Sequence, residues 1–371
     1  MLGAKGEGDV RGRRVRETAL AVVSIVLVAA AAACGSHGEN GLTGANNCPN
    51  GVCPYTDTPA PKGGVALFTV LPTAPVPGLS LTVLGSLNPP GHVLPTDHVY
   101  LYSWDLSVRG AQVQQGTRNV YMPATGALFL KLQGTSGVPD AKLMFRATDN
   151  FYFYLDHVVP TIVMNVDSTY TAGTLIGTTD PGATLDLGAF DATVTHDGFL
   201  VPERYAYQTL HAVSPWKYFS SALQPAIYAQ LYRAPSAPDK DGKIDFGIAG
   251  KLSGDWFLQG MPADSSYEPY GWTRTVAFVY DFYDPTQVRI SIGGTIGAAG
   301  VWAVDLTAPA PAAVSTANGI VIYPLINPFD GGPPVGRVLV QMMTDTQIKI
   351  ELFMGNNTVT QFDANAYTFV R

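Results

Sequence analysis

Within seven residues, from His92 to His98, the chain places two of its six histidines and one aspartate, Asp97, in the stretch NPPGHVLPTDHVYLY that runs from Asn88 to Tyr102. These are side chains that ligate metal ions and move protons. Burying them without partners is costly, so a dense group entering an apolar strand marks a candidate site. A plainer reading fits the same residues: Pro89, Pro90, Gly91 and Pro95 shape a tight surface turn, and the histidines are solvated.

The elements that would hold such a group read as β structure. A chain of 371 residues exceeds what one core usually serves, and two domains follow. Apolar residues make up 46%, which excludes disorder, and charged residues only 14%, against about 25% in typical domains. From Val65 to about Arg233 short apolar runs alternate with turn signals: VALFTVL, LSLTVLG, HVYLYSW, KLMFRA, FYFYLDHVV and GATLDLGAFD. WKYFSSALQPAIYAQLY looks partly helical, with Pro225 as an interruption. RAPSAPDKDGK, residues 233–243, reads as a linker. Beyond it eight strands are expected, DFGIAGKLS, TRTVAFVYD, QVRISIG, GVWAVDL, GIVIYPL, GRVLVQMM, QIKIELF and AYTFV, enough for a small closed antiparallel barrel or a sandwich. Gly254-Asp-Trp256 near its start resembles the G-x-W opening of lipocalin and avidin-type barrels, in which the tryptophan plugs one end.

The first part also carries an ordered series of signals. The His/Asp group is followed by Val120-Tyr-Met-Pro-Ala-Thr-Gly126, then Phe151-Tyr-Phe-Tyr-Leu-Asp-His157, Ala172-Gly-Thr-Leu-Ile-Gly177 and Ala183-Thr-Leu-Asp-Leu-Gly188. Over roughly residues 85 to 195 this order resembles the lysostaphin-type zinc metallopeptidases of bacterial cell walls. The resemblance implies a duplicated hybrid motif, a β-sandwich or flattened barrel, and hence an all-β chain with a lipocalin-like second unit. It also implies that His157 matches a strand histidine that assists catalysis. The match departs from the family where the metal is held: His92 and Asp97 are five residues apart rather than four, and the closing His-x-His is replaced by Thr184 and Asp186. A catalytic zinc takes three protein ligands and an open position for water, so a rearranged set would draw on His92 or His98, Asp97 and Asp186. With the His-x-His missing, the favoured expectation is a degenerate peptidase-like domain that binds cell-wall glycan or peptide. An active cell-wall endopeptidase and a carrier of a small apolar ligand in the barrel are the alternatives.

The N-terminus reads as a targeting segment. Arg11, Arg13, Arg14 and Arg16 precede the uncharged run Ala19 to Ala33, too short to span a membrane comfortably. The run ends in VAAAAAC, which resembles the lipobox of bacterial lipoproteins and implies cleavage before Cys34 and lipid on its sulfur. The remaining two cysteines, Cys48 and Cys53, would then close one short disulfide loop, as expected in an oxidising compartment. The organisation expected is a signal peptide over 1–33, a tether over 34–63, the peptidase-like domain over 64–232 and the barrel-like domain over 244–371. A net charge of −7 without a basic stripe speaks against nucleic acid as a partner. Membrane attachment would come from lipid, placing the protein in a bacterial envelope.

Overall fold

The computed structural model describes residues 68–105, 116–133, 140–262, 271–305, 307–329 and 331–371. The signal segment, Cys34, Cys48, Cys53 and the tether lie outside the described residues.

The chain is nearly all β, as its alternating apolar runs require. Ten strands make up the first part: β1 (Leu79–Ser80), β2 (His98–Leu101), β3 (Trp104–Asp105), β4 (Asn119–Tyr121), β5 (Gly126–Gln133), β6 (Ala141–Arg146), β7 (Phe151–Pro160), β8 (Thr169–Tyr170), β9 (Leu175–Thr179) and β10 (Leu185–Asp191). An eight-stranded sheet runs in the order β2-β10-β7-β6-β5-β8, with β9 pairing both β7 and β4, while β1 and β3 form a separate pair. Two short helices, α1 (Tyr207–Leu210) and α2 (Gln224–Tyr228), follow. Pro225 does not interrupt α2. It sits in the first turn, where its missing N–H costs nothing.

Period-two alternation decides what each face of the central strands carries. On β7 the odd positions Phe151, Phe153 and Leu155 enter the main core with Leu143 and Phe145 of β6, Leu185, Leu187 and Ala189 of β10, and Val99 and Leu101 of β2. The even positions make the opposite face. There Tyr152, Tyr154, Met144 and Phe190 form a smaller apolar cluster, and the remaining even positions, His98, Lys142, Asp156 and Asp186, are polar and buried. The ladders align them: Asp186 pairs with Tyr100 on one side and Asp156 on the other, and Gly188 pairs with His98 and Tyr154.

The second part is a closed barrel of eight antiparallel strands in sequence order: β11 (Gly254–Leu258), β12 (Thr275–Tyr280), β13 (Val288–Ile292), β14 (Gly300–Val304), β15 (Val321–Asn327), β16 (Gly331–Thr344), β17 (Gln347–Met354) and β18 (Tyr367–Val370). Seven of the eight expected strands overlap these. The first does not: DFGIAGKLS stays irregular and GDWFL is the strand. Gly247 packs against the Gly198 backbone so tightly that no Cβ fits, and pairing begins at Gly254, at φ 112°, opposite Phe278.

The barrel interior is filled. Val276, Phe278, Ile290, Ile292, Val338, Val340, Ile348 and Ile350 belong to one cluster of buried side chains. Such an interior argues against a carrier of a small apolar ligand. Trp256 is wholly buried, its indole N–H donates to the Leu252 carbonyl at 2.8 Å, and the Arg371 guanidinium lies 4.1 Å above its ring. Phe257, the next residue, points the other way into the core of the first part.

Candidate metal centre

The site grows from the polar face of the β2-β10-β7-β6 sheet. Its central carboxylate is Asp186, whose Oδ2 lies 3.5 Å from His98 Nε2 and 3.8 Å from His157 Nε2. Both imidazoles are held from behind. Asp97 Oδ1 sits 2.9 Å from His98 Nδ1, and Asp140 Oδ2 sits 3.0 Å from His157 Nδ1. A carboxylate on Nδ1 keeps the proton there and turns Nε2 outward, an arrangement common behind metal-bound histidines.

Backbone conformation brings the third group in. Adjacent residues on a strand point to opposite faces, so Asp156 and His157 should diverge. His157 adopts φ 62°, in the left-handed region, at the point where β7 leaves β10 and begins to pair with β9. This local kink costs energy that surrounding contacts must offset. Its effect is to bring one ligand atom each from Asp156, His157 and Asp186 within 4.8 Å of one another, a buried group that could hold a metal ion. The His157 N–H donates to Asp156 Oδ1 at 2.8 Å and fixes the kink.

Electrostatics follow from burial and from these partners. Burial opposes charge on His157, but the Asp140 hydrogen bond and the neighbouring carboxylates outweigh it and raise its pKa to about 9. His98 is raised in the same way, burial being overcome by Asp97 and Asp186. Asp97 is held well below the usual carboxylate range: burial resists ionisation, and the bond to His98 prevails. Asp186 goes the other way, lifted by burial to about 6 despite both histidines. Burial and the neighbouring His98 push His92 down to about 3, so its ring is neutral; it packs edge-on to His98 with centroids 5.1 Å apart.

Two features fit a metal. Asp186 Oδ1 is buried without a hydrogen-bond partner among the described residues, which a carboxylate rarely tolerates unless something else occupies it. Ligands about 2.0–2.2 Å from a tetrahedral zinc stand roughly 3.4 Å apart along each edge, close to the 3.8 Å between Asp186 Oδ2 and His157 Nε2, with an Asp156 oxygen within 4.8 Å of both residues' ligand atoms.

The structure therefore brings together His92, Asp97, His98, His157 and Asp186, all singled out in the sequence. Asp97 faces away from the convergence point: besides His98, it accepts Tyr154 OH at 3.0 Å and Thr209 Oγ1 at 2.5 Å. Asp140 and Asp156 were missed. Asp140 immediately precedes the strand that begins at Ala141, and strand alternation assigns Asp156 to the face opposite His157. His196 and His211 stay out of the group, each bonded to a backbone carbonyl, of Ala212 and of Val194.

No family model matches the chain, and no curated protein matches it. Among solved structures, Helicobacter pylori Csd3 is similar at 13% identity and a TM-score of 0.28, covering 42% of this chain. The match spans about a third of Csd3, 36% of its chain. Lysostaphin is similar at 9% identity and a TM-score of 0.20, covering 74% of this chain and 87% of its own.

Proposed function

We propose that the protein is a divalent-metal-dependent amide hydrolase, with zinc as the metal, anchored by lipid in a bacterial envelope. The observation that carries the reading is the convergence of two imidazole Nε2 atoms on Asp186, each imidazole backed by its own aspartate. Asp156, His157 and Asp186 would hold the ion, with His98 beside them. When bound, zinc would polarise a substrate carbonyl and make a bound water acidic. The chain itself contributes orientation and proton handling. Asp97 and Asp140 hold the rings, His92 packs as a neutral ring edge-on to His98, and the Tyr100 hydroxyl stands 3.3 Å from His98 Nε2. The motif order supports cell-wall peptide as substrate, and the VAAAAAC run supports the lipid anchor.

A second reading has its own support. The aspartates, His98, His157 and the buried Lys142 balance one another's charge without any ion, as in a degenerate domain kept for binding cell-wall glycan or peptide. Metal analysis separates the two. The purified protein should carry about one zinc per chain, lost in His157→Ala and in His98→Ala, and should cleave peptidoglycan peptides. Failure to take up zinc on addition would leave the binding reading standing.

A further inference from the structure

The two β units meet along a cleft of about 600 Å³, within the size range of small-ligand sites. Tyr100 and Trp104 line it from the first unit, Phe282, Trp302 and Phe329 from the barrel side. At one end the Tyr100 hydroxyl is 3.3 Å from His98 Nε2, so a single side chain separates the cleft from the buried group around Asp186.

The walls describe an occupant. Their charged side chains cancel: Arg289 Nε lies 2.6 Å from Asp281 Oδ2, and both are largely buried. A charged ligand finds no partner there. The rim is apolar, with Phe329 53% exposed and Val335 and Met354 beside it also exposed. Trp104 is stacked on Tyr232 with ring centroids 5.5 Å apart and is 8% exposed, yet its indole N–H finds no acceptor among the described residues. Sugar rings carry several hydroxyls that each need a partner, and these walls offer mostly rings and aliphatic groups.

We infer that the cleft receives an uncharged peptide segment bearing a large apolar side chain, on the far side of Tyr100 from the group Asp156, His157 and Asp186. This specificity rests on the hydrolase reading. Its test is calorimetric titration of the full chain, zinc-free and zinc-loaded, with the blocked peptides N-acetyl-Ala-Phe-Ala-amide, the same peptide with Glu or Lys in the middle, and chitotriose. The Phe peptide should bind at least about tenfold tighter than the other three, a gap near 1.4 kcal/mol. Phe329→Asp and Val335→Asp, both at exposed positions, should each weaken it about tenfold with unchanged unfolding temperature. Equal binding of the three peptides, tighter binding of chitotriose, no binding of the Phe peptide, or indifference to both rim substitutions would overturn the assignment. Selective peptide binding by a chain that takes up no zinc would instead sink the hydrolase reading and leave the cleft assigned.

Discussion

Gly188 lies so close beneath the Tyr154 ring that a Cβ at position 188 would overlap the ring atoms. The two residues are register partners across β10 and β7, and the other partner of Gly188 is His98. Absence of a side chain lets Tyr154 lean across β10 and donate to Asp97, which in turn holds His98. Gly188→Ala should push Tyr154 aside, at a cost of about 1–3 kcal/mol typical of overpacking, and loosen His98 with it. Denaturant melts and zinc titrations check both effects. Wild-type zinc affinity in this variant would mean that Tyr154 does not help position His98.

Asp140 bonds His157 at the nitrogen turned away from Asp186. Asp140→Asn keeps the shape of the side chain and weakens its hold on the Nδ1 proton. Losing such a partner typically costs 10–100-fold in metal affinity. A competition titration against a zinc chelator should therefore show a drop of at least about tenfold. If Asp140→Asn binds zinc as wild type does, Asp140 serves only the fold.

Strand alternation made most of this legible. QIKIELF shows the barrel in its letters, because every second residue is apolar and must face one side. The group around Asp186 was half legible: residue type exposed His98, Asp97, His157 and Asp186, while no local pattern announces a left-handed residue at position 157. That one backbone angle recruits Asp156, while Asp140, just before β6, reaches His157 across the sheet without any local signal. HVYLYSW read as one strand, yet Tyr102 at φ 53° splits it into β2 and β3. The linker expected over 233–243 is instead packed down, with Ala234, Ala237 and Asp241 buried and Asp241 Oδ1 accepting Tyr228 OH at 2.9 Å. Its polar letters hid contacts that only the fold provides.

Where the barrel meets the first unit, Asp255 accepts a hydrogen bond from Tyr205 OH at 3.0 Å, and its other oxygen has no partner among the described residues. Burial raises its pKa to about 7 from 3.8, with Arg371 and Asp245 as its other charged neighbours. A carboxyl raised on folding binds its proton more tightly in the folded state. Stability should therefore fall as pH climbs from about 4 to about 7 and level off above, by roughly 4 kcal/mol at most. Other groups titrate in the same window, so the difference between wild type and Asp255→Asn isolates this one. Urea unfolding at pH 5, 6, 7 and 8 should show the wild type losing ground relative to the asparagine variant. Parallel curves would mean that Asp255 ionises at its ordinary pH.

Arg371 closes the end of the barrel that Trp256 fills. Its guanidinium lies over the indole and donates to the carbonyls of Ile248, Lys251 and Ser253, at 3.1, 2.6 and 2.5 Å. Those carbonyls belong to the irregular segment before β11, which has no ladder to satisfy them. Arg371→Ala should strand the Lys251 carbonyl, leave those of Ile248 and Ser253 only the backbone N–H groups of Lys251 and Ile248, and uncover the ring, costing about 2–4 kcal/mol from lost charge-assisted bonds and cation–π contact. Arg371→Lys should recover only part, because an ammonium lacks the planar fork that reaches several carbonyls while stacking on an indole. Scanning calorimetry of the three proteins gives the order wild type, lysine, alanine in unfolding temperature. A lysine variant as stable as wild type would show that charge alone, and not the fork, holds this end of the barrel shut.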